Sequence, residues 1–234
     1  MASRISQLID EAKPILVEAI SMEQSKHYMN AVNRYTEGST LLYEAHKLMP
    51  ESDFRKANLL PTIMSYVERA EKLRKECLKT VENLEQKRIV EDSTGNDYYT
   101  VFGRCINDAL TSVVIEDAYV HAHHQILNFV RFCEILVQRA KNLKRITLIT
   151  SEGGNLALFD DLKKSLKERS INLLVSEKQL HDREITFDNG WIIKIGRGLD
   201  YFKPPQGKYT LGSCDYAMKR CRETTIDIYK VRRG

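Results

Sequence analysis

Apolar residues recur every three to four positions through the first third of the chain. Ile5, Leu8, Ile9, Ala12, Leu16, Ala19 and Ile20 fall on one stripe, which predicts an amphipathic helix over 3–24. Pro14 lies inside it and predicts a kink or a late helix start. Tyr28, Ala31, Val32, Tyr35, Leu42 and Ala45 repeat the spacing over 26–49, and Gly38 on that stripe would let a neighbouring helix pack close. Pro50-Glu-Ser-Asp breaks the pattern and offers Ser52 or Asp53 as an N-cap. A third helix carries Leu60, Ile63, Val67, Ala70, Leu73 and Cys77, with a local kink expected at Pro61. Three helices on short connections predict an antiparallel bundle.

Beyond it, Leu84-Glu-Gln-Lys-Arg fades into Glu91-Asp-Ser-Thr-Gly-Asn-Asp97, polar and turn-rich, and reads as a linker between domains at 1–88 and 92–234. The period then changes. Short β-branched runs at 113–117, 146–149 and 171–175 read as strands, separated by helical stretches at 123–140 and 155–169. Ile185 and Phe187 alternate with polar neighbours, Asp188-Asn189-Gly190 supplies turn residues, and Trp191–Ile195 forms the return strand of a hairpin, with Trp191 read as core. A late strand covers 225–229. The expected fold class is a multidomain α plus α/β chain, a helical bundle followed by a mixed-sheet α/β domain. Sites in such sheets gather at strand ends, where Asp117, Ser151 and His181 would lie.

Composition narrows the function classes. No run of about eighteen apolar residues exists, so no membrane span is expected. The first residues lack a long apolar core and carry Asp10 and Glu11 early, which argues against a signal peptide. The five cysteines are odd in number and widely spread, as reduced thiols of a cytosolic protein would be. Residues 1–90 carry 14 Lys/Arg against 13 Asp/Glu, whereas residues 181–234 carry 11 against 7, so the excess sits late in the chain. A modest local excess favours a small anionic target such as a lipid headgroup over a nucleic-acid track. Gly196-Arg197-Gly198 follows the hairpin, and two of its residues lack a Cβ, so its backbone could approach an anion closely. His121-Ala-His123-His124, with Glu116 and Asp117 upstream, could be drawn as a metal site. No Cys or His lies at matching distance and the run opens a helix, so a helix-start surface is expected and no metal or cofactor.

Two resemblances sharpen these expectations. Tyr28-x2-Ala31-x3-Tyr35-x2-Gly38 followed by Tyr66-Val-Glu-Arg-Ala-Glu-Lys-Leu73 resembles the MIT (microtubule-interacting and transport) domain. That resemblance implies a three-helix bundle binding helical tails of ESCRT-III subunits. Met64, Val67, Glu68 and Glu71 would then be the peptide-binding strip, apolar and flanked by acids, against the plainer alternatives of core for Val67 and a solvated face for the two glutamates. His181-x-Arg183-x4-Asp188 resembles the His-x-Lys-x4-Asp signature of the phospholipase D superfamily, in which the His attacks phosphorus and two such motifs meet. Arg183 replaces the Lys, Gly196-Arg197-Gly198-Leu199 stands where the family has Ser and Asn, and there is no second motif. A guanidinium still grips phosphate, but the other losses remove groups that position the nucleophile.

Together the motifs resemble the family in which an MIT domain precedes a phospholipase D-like domain. The resemblance implies membrane binding without known hydrolysis, a role in cytokinetic abscission, and a cytoplasmic peripheral protein at the midbody and late endosome. His181, Arg183, Lys194, Arg197, Lys203 and Lys208 are the expected phospholipid-binding surface, and Tyr201 and Phe202 either dip into the lipid interface or pack beneath the hairpin. His181, Arg183 and Asp188 are read as vestigial catalytic groups. Expected partners are ESCRT-III tails, anionic phospholipid and a second copy of the chain through the C-terminal domain, with no nucleic acid. The rival reading is a surviving phosphodiesterase using His181 within a homodimer.

Overall fold

A computed structural model describes residues 2–25, 27–78, 81–178, 180, 183–207 and 209–231. The chain divides into two compact units, one of Met1–Glu82 with Asp188–Gly190 and Val231–Gly234, the other of Asn83–Phe187 and Trp191–Lys230.

The first unit is the bundle. Its helices are α1 (Ala2–Gln24), α2 (Tyr28–Leu48) and α3 (Phe54–Leu78), and α2 packs against both others. Gly38 lets α1 and α2 pack close together: a Cβ built there would lie 2.5 Å from Leu16 Cγ. The Tyr35 hydroxyl donates to Glu23 at 2.8 Å and Arg69 Nε to the same carboxylate at 2.6 Å, so one acid ties the three helices together. Burial, and then that carboxylate, push the Tyr35 phenol up to about 12. Pro14 and Pro61 sit within continuous helices on exposed faces, where water can take the carbonyl each leaves unbonded. Asp53 takes the N-cap of α3, its carboxylate accepting from Arg55 N at 3.0 Å. The stripe on α3 is narrower than its spacing predicts. Ile63, Ala70, Leu73 and Cys77 are buried, but Leu60 is exposed and Val67 half-buried.

The second unit is a mixed sheet. Its strands are β1 (Val81–Ile89), β2 (Ser112–Glu116), β3 (Arg145–Thr150), β4 (Asn172–Glu177), β5 (Glu184–Phe187), β6 (Trp191–Ile195) and β7 (Thr224–Val231), in the order β1-β7-β6-β5-β2-β3-β4. β2, β3 and β4 run parallel, and β5, β6 and β7 add on antiparallel. The helices are α4 (Tyr98–Phe102), α5 (His123–Arg139) and α6 (Asp160–Lys167), the last preceded by a 3-10 turn at Leu156–Phe159. Val113, Ile115, Ile146, Leu148, Ile185, Phe187 and Ile193 alternate onto the sheet face that shares one core with Phe129, Phe132 and Leu136 of α5.

The stretch read as a linker is built into this unit. Residues 84–88 belong to β1, whose Gln86 and Arg88 hydrogen-bond Asp227 and Glu223. Farther on, Asp92 N donates to Cys221 O and Gly95 N to Ala217 O, each at 2.8 Å, and Asp97 caps α4 through Tyr99 N and Thr100 N. Polar side chains signalled a turn there, but the backbone groups are satisfied within the sheet domain rather than by water.

Candidate functional site

β2 ends at Glu116, and the next residue organises the site. Asp117 is almost fully buried, and its carboxylate accepts from Leu199 N at 2.7 Å and from Tyr119 N at 3.1 Å. Burial pushes this carboxyl above its ordinary value, and the two N–H groups pull it back. The anion approached by the glycine-rich loop is therefore the protein's own. Gly198 has φ +62 and a Cβ there would stand 2.1 Å from Asp117 Oδ2, which is why no side chain fits. Two more loop amides are committed, Gly196 N to Thr225 O at 3.0 Å and Gly198 N to Ile195 O at 3.1 Å. Backbone cradling of a phosphate, expected from the glycines, gives way to anchoring of the loop.

What the anchored loop does is place arginines. Arg183 and Arg197 both line an open pocket of about 620 Å³, with Tyr119, Gln125, Asp200 and Thr224. Arg183 lies over the Tyr119 ring, 4.7 Å from its centroid, and donates through one terminal nitrogen to Gly196 O. Its Nε is buried and has no hydrogen-bond partner among the described residues. Arg197 donates Nε to Glu223 O at 3.0 Å and has no ion pair among the described residues. The two acids of the pocket are already engaged. Asp200 accepts from Asn128 at 3.1 Å and Gln125 at 3.3 Å and faces Arg222 at 3.6 Å, while Glu223 takes the Arg88 guanidinium. The balance of uncommitted donors is cationic, suited to an anion with several oxygens.

The remaining expected residues divide. Lys194 lies opposite Glu184 across the β5–β6 ladder, with their charged groups 3.8 Å apart, so it is not part of this pocket. Lys203 is held by Glu91 and by Asp92, the latter at 2.9 Å. Both were expected in the phospholipid surface, and in both an acid already neutralises the ammonium. Tyr201 and Phe202 are 0% and 4% exposed and pack with Tyr98, so the packing alternative holds and they do not reach a lipid. The Tyr201 hydroxyl donates to Asn96 O at 2.9 Å, as a buried phenol must find an acceptor. Asp188 sits in the β5–β6 turn, at the far end of a four-residue strand from Arg183, and does not line the pocket. His181 and Lys208 lie outside the described residues. On α3, Met64 is 50% exposed, Glu68 and Glu71 are exposed, and Val67 is half-buried, so the four share an accessible face with Leu60. At the histidine run, Ala122 precedes the first turn of α5 and His121 Nε2 meets Ser151 Oγ at 2.8 Å. Tyr119, Gln125, Asp200 and Thr224 were not anticipated; the only sequence signal was Tyr119, three residues past the end of β2.

Comparison with known proteins agrees with the two-part architecture. Residues 9–75 match the MIT (microtubule interacting and transport) domain, and residues 95–230 match the phospholipase D-like domain found at the C-terminus of MIT. MIT domain-containing protein 1 of Mus musculus is 38% identical over 228 residues, covering 93% of this chain and 91% of that protein. A solved structure of TrmBL2, an archaeal chromatin protein, aligns over 87% of this chain and 75% of that one at 12% identity and a TM-score of 0.31, a likeness too slight to bear on function. An MIT bundle joined to its own kind of phospholipase D-like domain, with identity sustained across both, places the chain in the MIT domain-containing protein 1 family.

Proposed function

We propose that the chain is an adaptor, its bundle binding an ESCRT-III tail helix while its C-terminal domain holds anionic phospholipid without hydrolysing it. The observation that carries the membrane half is the pocket lined by both Arg183 and Arg197, the former with a buried N–H that finds no acceptor among the described residues. An orphaned donor of that kind costs about 1–3 kcal/mol until something accepts from it. A phosphate-bearing headgroup supplies oxygens in the geometry a guanidinium fork matches. Two features speak for binding over catalysis: Asp188 does not line the pocket, and the amides of Gly196, Gly198 and Leu199 are occupied. In the cell, such a protein would act in abscission, recruited from the cytoplasm to the membrane of the midbody or late endosome, and it would pair through its C-terminal domain. Light scattering of the full chain across concentrations tests the pairing, and a strictly monomeric result removes it.

Vesicle sedimentation tests the pocket. Binding of the full chain is expected to require anionic lipid and to weaken with salt, because each surface cation near the membrane contributes about 1 kcal/mol and is screened. Replacing Arg183 and Arg197 together with alanine should lower the affinity by about thirtyfold. Unchanged binding by the folded double variant, or hydrolysis of a phosphodiester by the wild-type chain, would overturn the reading.

The bundle half rests on the accessible strip of Leu60, Met64 and Val67 beside Glu68 and Glu71. Such a surface suits an amphipathic helix presenting leucine and arginine. Val67→Asp places a charge where an apolar partner must desolvate it, and peptide affinity should fall at least about tenfold. Fluorescence anisotropy with a labelled ESCRT-III tail, alongside circular dichroism to verify folding, decides this. Wild-type affinity in a folded variant would place the groove elsewhere.

A further inference from the structure

The most exposed large apolar side chains of the C-terminal domain are neither on its sheet nor beside its pocket. Tyr209 is 89% exposed and Leu211 is 86% exposed, two residues apart at the tip of the loop between Lys203 and Arg220. The base of that loop is pinned to the core. Phe202 pairs with Cys221 in a β-bridge, Lys203 N donates to Arg220 O at 2.7 Å, and the rings of Tyr201 and Phe202 are buried in the core.

Among the described residues, the tip ties several of its polar groups to one another. Thr210 Oγ1 donates to Gly207 O at 2.9 Å, Ser213 N donates to Thr210 O at 3.1 Å, and Ser213 Oγ donates to the same carbonyl at 2.7 Å. Gly212 has φ +85, and a Cβ on it would stand 2.9 Å from Met218 O, so the descending limb lies against the 3-10 turn at Tyr216–Met218. An ordinary mobile loop would leave these backbone groups to water. Here they are tied internally, which lowers the cost of entering a medium that cannot hydrogen-bond.

We propose that this loop is a wedge that inserts Tyr209 and Leu211 into the interfacial layer of a lipid bilayer. The assignment rests on the proposed lipid binding of the C-terminal domain and gives it a second, uncharged contribution. Two projecting side chains on a convex tip are far too small for a stable protein interface, which buries roughly 800 Å² on each partner. A bilayer asks for less. Tyrosine favours the headgroup level, where its ring is apolar and its hydroxyl stays wet, and leucine reaches the acyl boundary beneath it. Gly207, Thr210, Gly212 and Ser213 around the pair carry no charge, and the one charged neighbour in sequence, Lys208, is a cation, the sign that anionic headgroups attract.

The test uses the full chain and vesicles of phosphatidylcholine and phosphatidylserine, with or without bromine on the acyl chains. Trp191 is the only tryptophan, so the wild-type protein gives the background. The Tyr209→Trp variant is expected to be quenched by the brominated vesicles beyond that background. The pair Tyr209→Ser with Leu211→Ser is expected to bind about tenfold or more weakly, with its salt dependence unchanged. Loss of Arg183 and Arg197 should instead flatten the salt dependence. Wild-type affinity in the serine variant, or no added quenching in the tryptophan variant, overturns the wedge and leaves the arginine pocket standing. No binding of the wild-type chain to any of these vesicles overturns both.

Discussion

Gly198→Ala is expected to destabilise the C-terminal domain by about 3–5 kcal/mol, the largest effect of a single methyl group in this chain. Two costs combine. A residue with a Cβ loses about 1–2 kcal/mol in the left-handed region, where Gly198 sits at φ +62. The new methyl would also fall 2.1 Å from Asp117 Oδ2, so the carboxylate must leave its place and release Leu199 N and Tyr119 N. A hydrogen bond typically contributes about 1–1.5 kcal/mol, and here the two donors would be left without replacements. Urea unfolding followed through Trp191, which lies on β6 of this domain, measures the change. The two effects separate in a double-mutant cycle. In an Asp117→Ala background the steric clash disappears, so Gly198→Ala should then cost only the backbone term, about 1–2 kcal/mol. Equal costs in the two backgrounds would mean that the carboxylate does not hold the loop.

Gly38→Leu is expected to have the second-largest effect, on the bundle. The Cβ alone would overlap Leu16 Cγ and Cδ2, at 2.5 and 2.6 Å, and both belong to a buried side chain with little freedom to retreat. Inserting a whole side chain forces α1 and α2 apart, and overpacking of this kind costs about 3 kcal/mol or more. Gly38→Ala should cost less, because the better helix propensity of alanine returns up to about 1 kcal/mol. Thermal unfolding by far-ultraviolet circular dichroism ranks the three proteins. Adding Leu16→Ala to Gly38→Leu should recover part of the loss, and an absence of rescue would show that the close approach is not what the glycine provides.

These two glycines show how far the sequence could be read. Gly38 lies on a helical stripe, so its packing role follows from spacing alone. The parallel strands β2, β3 and β4 were legible for a similar reason: short β-branched runs bounded by turn residues have few other uses. Gly198 was noticed, but for a different anion, because the buried carboxylate that meets it lies eighty residues earlier and only the fold brings them together. β1 was missed because Val81-Glu-Asn-Leu-Glu-Gln-Lys-Arg-Ile89 has neither clean alternation nor an apolar run, which is how an edge strand is kept from pairing with strangers. Lys194 and Lys203 looked like available cations because their acids are set by register and by a returning loop. Arg183 and Arg197, read together from one stretch of sequence, do line one pocket, but Tyr119 and Gln125 beside them come from other parts of the chain. Tyr201 and Phe202 were ambiguous by sequence, since adjacent aromatics among charges fit a membrane contact or a core equally. Tyr98 and Phe132 decided it.

The placement of β1 has a consequence for how this protein can be cut. Because the strand precedes the polar stretch at 91–97, a fragment started there would carry the arginine pocket but leave the β7 ladder without its neighbour. An open strand of that kind is a template for another chain, so such a fragment would be prone to swap or aggregate. A dimer seen with it could be an artefact of the missing strand. A fragment begun before Val81 keeps β7 paired with its native neighbour, whose polar sequence suits an edge, and proteolytic nicking within 91–97 should leave the severed β1 in place.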